Sequence, residues 1–462
     1  RERRRERCRS RTELFRARPL ASFDETSDGH DRNPEMPGKL LCVATVLALQ
    51  TTWADATTCD LFQKGGTPCV AAHSTVRALY QSYDGPLYSV RRVGDNHTLD
   101  IGVATAGGLA DSAAQDEFCT GARCVFDRIY DQSPHGNHLG IAPPGGAHRA
   151  QDLPADAAAG PVMVGGHKVY GVRMEPPSGY RNDTATGIAV GDEAETIYAV
   201  FNGSHYNNGC CFDYGNAETN NLDDGAGTME ALYFGNAKGG LNHGGAGPGP
   251  WIMADMENAL WGADKVDSNE PSIHHPFVTA MIKGDVSTGR AAPEPYMPGV
   301  DHGGHDMLPC GVSGCILNKT TNAHLDCERL CNDTHRCVGY VFAEAGCSGK
   351  SGPLCWTKSA WGEGTPRQCR ASRLLNPALL GHWAIKGADA QEGPWHVYWD
   401  GRRAPGYAPM KKQGSIILGI GGDNSDWAVG TFYEGVMTRG YSTDATDDAV
   451  QANVVAAGYG RG

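Results

Sequence analysis

Two stretches of this chain gather side chains able to move protons. The first is Trp251-Ile252-Met253-Ala254-Asp255-Met256-Glu257-Asn258, whose alternation predicts a strand. Side chains two apart on a strand share a face, so Asp255 and Glu257 would lie together, with Met253 keeping that face partly apolar. Two acids beside Asn258 read as a polar pocket, or as a solvent-facing edge strand. The second stretch is Gly421-Gly422-Asp423-Asn424-Ser425, directly after a strand candidate at 415–420. Glycines admit a ligand close to the backbone, and an acid at a strand end is well placed for catalysis; a plain Asp-Asn turn is the competing reading. Paired carboxyls suit glycoside cleavage, in which one protonates the leaving oxygen while the other attacks or activates water. Glu434 and Glu230 compete for either role.

Adjacent cysteines, Cys210-Cys211, can pair only through a tight ring, which would make a rigid apolar sulfur surface against a ligand. Cys59 with Cys69 and Cys119 with Cys124 make tidy local pairs. That leaves Cys210 and Cys211 for each other, unless each pairs elsewhere. Eight further cysteines crowd between 310 and 369, the density of a small module stapled by disulfides. The chain has no Cys-x-x-Cys pair to favour metal. Asp301-His302, His305 and Asp306 read as a solvated linker rather than a metal site, so no metal or other cofactor is expected.

The elements that must position these groups are short strands. Candidates lie at 196–201, 277–282, 382–387, 395–399 and 415–420, separated by Gly, Asn, Asp and Pro clusters. Helices are expected at 74–83 and 444–457. The 62 glycines among 462 residues suit a turn-rich β protein, and the strands suggest one large β-sandwich. The Cys-rich block interrupts it: residues 285–380 read as an insertion at a hairpin tip, between sandwich segments 57–284 and 381–462.

Residues 36–56 read as a signal peptide, with a basic start, an apolar run from Leu40 to Leu49 and a small-x-small end. Met36 then marks the start, and 1–35 an upstream non-native segment. Five Asn-x-Ser/Thr sequons, at Asn96, Asn182, Asn202, Asn318 and Asn332, fit an exported glycoprotein. The net charge of −13 argues against nucleic acid or an anionic membrane as partner. It leaves a neutral polysaccharide compatible with a secreted, soluble monomer.

Longer motifs carry a resemblance. Cys69-Val70-Ala71-Ala72-His73-Ser74-Thr75, Ile129-Tyr130-Asp131-Gln132-Ser133, Cys210-Cys211-Phe212-Asp213-Tyr214-Gly215-Asn216-Ala217-Glu218, Asp255-Met256-Glu257-Asn258 and Leu418-Gly419-Ile420-Gly421-Gly422-Asp423-Asn424-Ser425 stand in order. Together they closely resemble the arabinofuranosidase B type α-L-arabinofuranosidases of glycoside hydrolase family 54. The similarity covers about 58–284 and 382–458. It implies a concanavalin-like β-sandwich (jelly roll) and a retaining exo-glycosidase acting on arabinofuranosyl-containing glycans. Carried over, Glu257 is the nucleophile and Asp423 the acid/base. Asp255, Asn258 and Gly422 contact sugar, and Cys210-Cys211 is a vicinal disulfide beneath it. Ala259 departs from the family's second Asn, and Leu241-Asn242-His243 departs from a loop that often carries Trp. The arabinose-binding trefoil of fungal members has no counterpart before Gly462. The insertion, with Cys327 and Cys331 one helical turn apart, resembles a disulfide-rich α+β PAN/apple module, which implies a protein or glycan ligand. A related furanosidase, for instance on galactofuranose, and an inactive glycan-binding protein are the alternatives.

Overall fold

The computed structural model describes residues 56–461, apart from short segments at 224, 239–244, 263–266, 287–296, 312, 318–322, 333, 335–336, 348–351, 362–363, 375–380 and 405. The expected leader before Ala56, the upstream segment 1–35 and the Leu241-Asn242-His243 loop lie outside the described residues.

Two antiparallel sheets carry the body. In spatial order, one runs Cys69–Ser74, Gly430–Arg439, Glu195–Tyr206, Phe277–Gly284, His382–Asp389 and Glu392–Arg402. The other begins Leu260–Trp261, Trp251–Asp255, Glu230–Gly235, Asp213–Ala217 and Ser415–Leu418, and continues through Tyr180–Asn182 to Thr98–Gly102. Their facing sides interdigitate as a β-sandwich. Phe201 stacks on Phe234 at 5.7 Å, and Tyr214 packs on Phe432 at 5.2 Å. Such pairs add roughly 0.5–1.5 kcal/mol each beyond the area they bury. The layers are so close at Gly387 that a Cβ there would stand 2.5 Å from Ile252 of the opposite sheet. The strand candidates at 196–201, 277–282, 382–387 and 395–399 all fall within strands, and 415–420 forms one as far as Leu418.

The expected helix at 74–83 does not form. Its backbone donors are taken by side chains and distant carbonyls: Ser74 Oγ accepts from Val76 N and Arg77 N, and Gln132 Oε1 accepts from Leu79 N. Local Ser capture of this kind competes with the helical ladder. A helix forms instead at Thr58–Lys64, opened by a reciprocal capping box between Thr57 and Asp60. The tail helix Asp444–Ala457 forms as read, with Thr443 accepting from Thr446 N and left-handed Gly458 (φ 76°) ending it. Buried Asp447 docks it on the sheet, taking Lys283 Nζ at 2.7 Å and Lys386 Nζ at 2.6 Å.

Gly284 faces Trp383 across one ladder, and Asp285 N donates to His382 O at 2.9 Å. The chain between them builds a separate sheet from Met297–His302, Gly364–Leu374, Gly339–Ala343, Leu354–Lys358 and Cys315–Ile316, with helix Ala323–Asn332 against it. Disulfides Cys310–Cys315, Cys327–Cys355, Cys331–Cys337 and Cys347–Cys369 close within it. Its charged run is spent on packing: Arg370 holds Asp301 at 2.8 Å, Lys358 holds Asp306 at 2.5 Å, and His302 stacks on Trp361. In the body, Cys59–Cys69, Cys119–Cys124 and Cys210–Cys211 are joined.

Candidate active site

At the end of the second sheet, the strand Trp251–Asp255 stops one turn earlier than its alternation suggests. Glu257 and Asn258 both adopt left-handed backbone (φ 59° and 61°), and Met256 N closes the turn on Ala259 O at 3.0 Å. Asp255 and Glu257 therefore do not share a strand face. The turn brings them together instead: Glu257 N donates to Asp255 Oδ1 at 3.1 Å. Non-glycine residues in this region are uncommon and collect where function demands strain.

Beside this turn runs the loop after Ser415–Leu418. Gly421 N bonds Ser425 O at 3.0 Å, Ser425 N bonds Asp423 Oδ1 at 3.1 Å, and buried Asn424 anchors the loop through Asp152 Oδ1 at 3.0 Å. Arg181 ties the base together by donating to the carbonyls of Gly422 and Glu218. The two segments and the 206–211 loop enclose a cavity of about 1030 Å³. Glu257, Asp423, Asp255 and Gly422 line it, as do Cys210, Cys211, Asn258 and Ala259. Cys211 Sγ lies 3.2 Å from Asp255 Oδ2, so the disulfide forms apolar wall directly beside carboxyl oxygens. Asn258 is exposed and gives its amide to Asp223 Oδ1 at 2.9 Å, an interaction that competes with any sugar for it. Glu434 and Glu230 are not among the lining residues. Arg77 grips Glu434 at 2.5 Å, and Lys412 holds Glu230 at 3.0 Å, both fully inside the sandwich.

One acid that sequence reasoning did not single out stands behind the cavity wall, at Gly422. Glu218, just past Asp213–Ala217, is fully buried, with Oε1 taking Thr228 Oγ1 at 3.1 Å. A Cβ built on Gly422 would meet Glu218 Oε2 at 2.0 Å and Glu257 Oε2 at 2.5 Å, so any side chain at 422 would displace these carboxyls. Burial, then hydrogen bonding and charge from Glu218, push the Glu257 carboxyl far above its ordinary range. Burial likewise raises Asp255 to about 7, and Asp213 beneath it is pushed well up by burial and by the Asp255 charge. Burial and mutual charge thus hold the carboxyls of Glu257, Asp255 and Asp213 toward their protonated forms. The only sequence signal for Glu218 was its place in the motif that begins at Cys210.

Among the described residues, two clusters have donor atoms close enough for a metal. One comprises Cys210, Cys211 and Asp255, and its sulfurs are consumed in the disulfide. The other, behind the Asp423 loop, is His148, whose Nδ1 lies 2.7 Å from Asp426 and 3.3 Å from Asp152.

Converging carboxyls over a sulfur floor, on the end of a two-sheet β-sandwich, define a site of the glycoside-hydrolase class. The chain belongs to the α-L-arabinofuranosidase B catalytic family, whose model matches residues 58–292 and 371–460. Residues 293–370 fall between the matched segments. A probable alpha-L-arabinofuranosidase B of Aspergillus clavatus is 42% identical over 426 residues, covering 90% of this chain. The alpha-L-arabinofuranosidase B of Aspergillus kawachii is 43% identical over 410 residues, covering 87% of this chain. The chain spans 65% and 63% of the length of these two relatives. Among solved structures, an arabinofuranosidase complexed with arabinofuranosyl-alpha-1,2-xylobiose aligns with TM-score 0.65 and 42% identity, over 88% of this chain and 66% of that one. A family 54 α-L-arabinofuranosidase soaked with a cyclic sulfate inhibitor aligns equally well.

Proposed function

We propose that the chain is a secreted, retaining α-L-arabinofuranosidase. It removes terminal non-reducing arabinofuranosyl units from arabinan, arabinoxylan or arabinogalactan chains. The observation that carries this reading is the meeting of Glu257 and Asp423 in one cavity floored by Cys210–Cys211. Asp423, on an open loop with one oxygen fixed by Ser425 N, donates a proton to the glycosidic oxygen. Glu257 in its ionised form attacks the anomeric carbon, expelling the aglycone and forming a glycosyl ester. Asp423, now a carboxylate, takes a proton from water, which cleaves that ester with net retention. Asp255 and the backbone at Gly422 bond sugar hydroxyls, while the disulfide faces the apolar side of the ring. Secretion is supported by the apolar run 40–49 and by the disulfides. Exposed Asn96 is the most accessible described sequon. The insertion, with its own core, takes a protein or glycan ligand.

The test is hydrolysis of aryl α-L-arabinofuranosides, galactofuranosides and pyranosides by the mature chain, with proton NMR of the first-formed sugar. Release of the α-anomer from the arabinofuranoside alone is expected. Preference for galactofuranoside, or no turnover of any, defeats the reading.

A further inference from the structure

The cavity is larger than one pentose requires. At about 1030 Å³ it matches the upper end of pockets that hold drug-sized ligands, ~300–1,000 Å³. One of its lining residues is Trp427, which leaves 54% of its surface in solvent although the backbone beneath it is fixed. Trp427 N donates to Cys210 O at 3.2 Å, and Trp427 O accepts from Asn207 Nδ2 at 3.0 Å. Gly209 packs so tightly under this carbonyl that a Cβ there would come within 2.2 Å of it. The indole thus stands on a braced stalk beside Cys210, in the same loop as Asp423.

We propose that Trp427 is the stacking platform for the aglycone, a pyranose ring on the leaving-group side of the scissile bond. The inference rests on the reading of Asp423 as proton donor. Whatever oxygen Asp423 protonates belongs to the leaving group, so the next sugar extends along the Asp423 loop rather than over Glu257. A pyranose offers a flat face of C–H bonds, and an indole held in place pays little ordering entropy to meet it. Exposed Asn208, just past the neighbouring strand end, also lines the cavity and offers an amide to that ring's hydroxyls. The enzyme so built prefers an arabinofuranosyl branch on a pyranose backbone to one on a small alcohol.

The experiment compares wild type, Trp427→Ala and Trp427→Phe on two substrates: an arabinofuranosyl-substituted xylobiose and methyl α-L-arabinofuranoside. Trp427→Ala should lose about tenfold in kcat/KM on the oligosaccharide, mostly through KM, and less than twofold on the methyl glycoside. Trp427→Phe should recover most of the loss. Equal losses on both substrates, or none on the oligosaccharide, overturn the proposal. Wild-type inactivity on both would defeat the arabinofuranosidase reading instead. A second measurement then decides the platform: xylobiose alone should perturb the tryptophan fluorescence of wild type and not of Trp427→Ala. No response of wild type to xylobiose overturns the site.

Discussion

Two carboxyls pressed together in a pocket cannot both ionise cheaply, and Glu218 against Glu257 is that situation. Glu218→Gln removes the competing charge while keeping a hydrogen-bond donor. The carboxyl of Glu257 then ionises at lower pH. Since the attack needs the ionised form, the acid limb of the kcat/KM profile should move to lower pH by about one unit or more. An unmoved limb would mean that the two acids titrate independently. The same pair makes a stability statement. A carboxyl raised in the fold favours the native state only below its unfolded value, about 4.3, and costs stability as pH rises toward the folded value. Glu257→Gln should therefore unfold with wild type near pH 4 and be more stable by about 1–2 kcal/mol at pH 7, while lacking turnover. Calorimetry at the two pH values checks both the sign and the window. At this scale the sequence was partly readable. Glu257 and Asp423 were picked out as acids two apart and at a Gly-rich strand end, although the strand that the alternation predicts stops at Asp255 and a turn places Glu257. Glu218 did not, because it adjoins a strand buried on both faces, where no period marks an acid. Its partner Gly422 is supplied by a distant loop.

Elements are held together by buried polar ties, and one acid that looks catalytic in the sequence serves as such a tie. Glu434 sits opposite Ser74 in the strand ladder and takes Arg77 Nη2 at 2.6 Å and Tyr459 Oη at 2.8 Å. Arg77 pulls the Glu434 carboxyl below its ordinary range despite burial. This tie is what the stretch 74–83 forms in place of a helix: a guanidinium fork needs its segment extended toward the neighbouring strand, and helical spacing in the sequence carries no record of that partner. Breaking a buried pair leaves a charge without compensation, at a cost of about 3–5 kcal/mol. Glu434→Gln should lower the denaturation midpoint accordingly and leave KM for an aryl arabinofuranoside within twofold. A large KM change with little loss of stability would return Glu434 to the list of catalytic candidates. The tail helix was legible for the opposite reason, since its caps, Thr443 and Gly458, are local in sequence.

At the scale of the molecule, the sandwich and the Cys-rich module have separate apolar clusters, the latter around Tyr340 and Trp361. Joining Gly284 to His382 through a short turn should preserve the hairpin ladder, whose last pair is Gly284 with Trp383. On the proposed activity, the shortened chain is expected to keep kcat/KM on small arabinofuranosides within about threefold. Failure to fold would show that the body leans on the module. The two come near each other at Gly406, where a Cβ, if present, would lie 3.7 Å from His305.

The hairpin also fixes what the module can do for the enzyme. Because its two ends leave the body from neighbouring strands, about 4.8 Å apart, it is moored twice at one point. A module hung on a single long tether searches a sphere whose volume grows with the tether, and dilutes whatever it captures. Mooring at both ends confines a module to a smaller volume than a single tether of the same length would. A polymer that bound the module would therefore stay near the cavity, and its successive branches would meet the site at a raised local concentration.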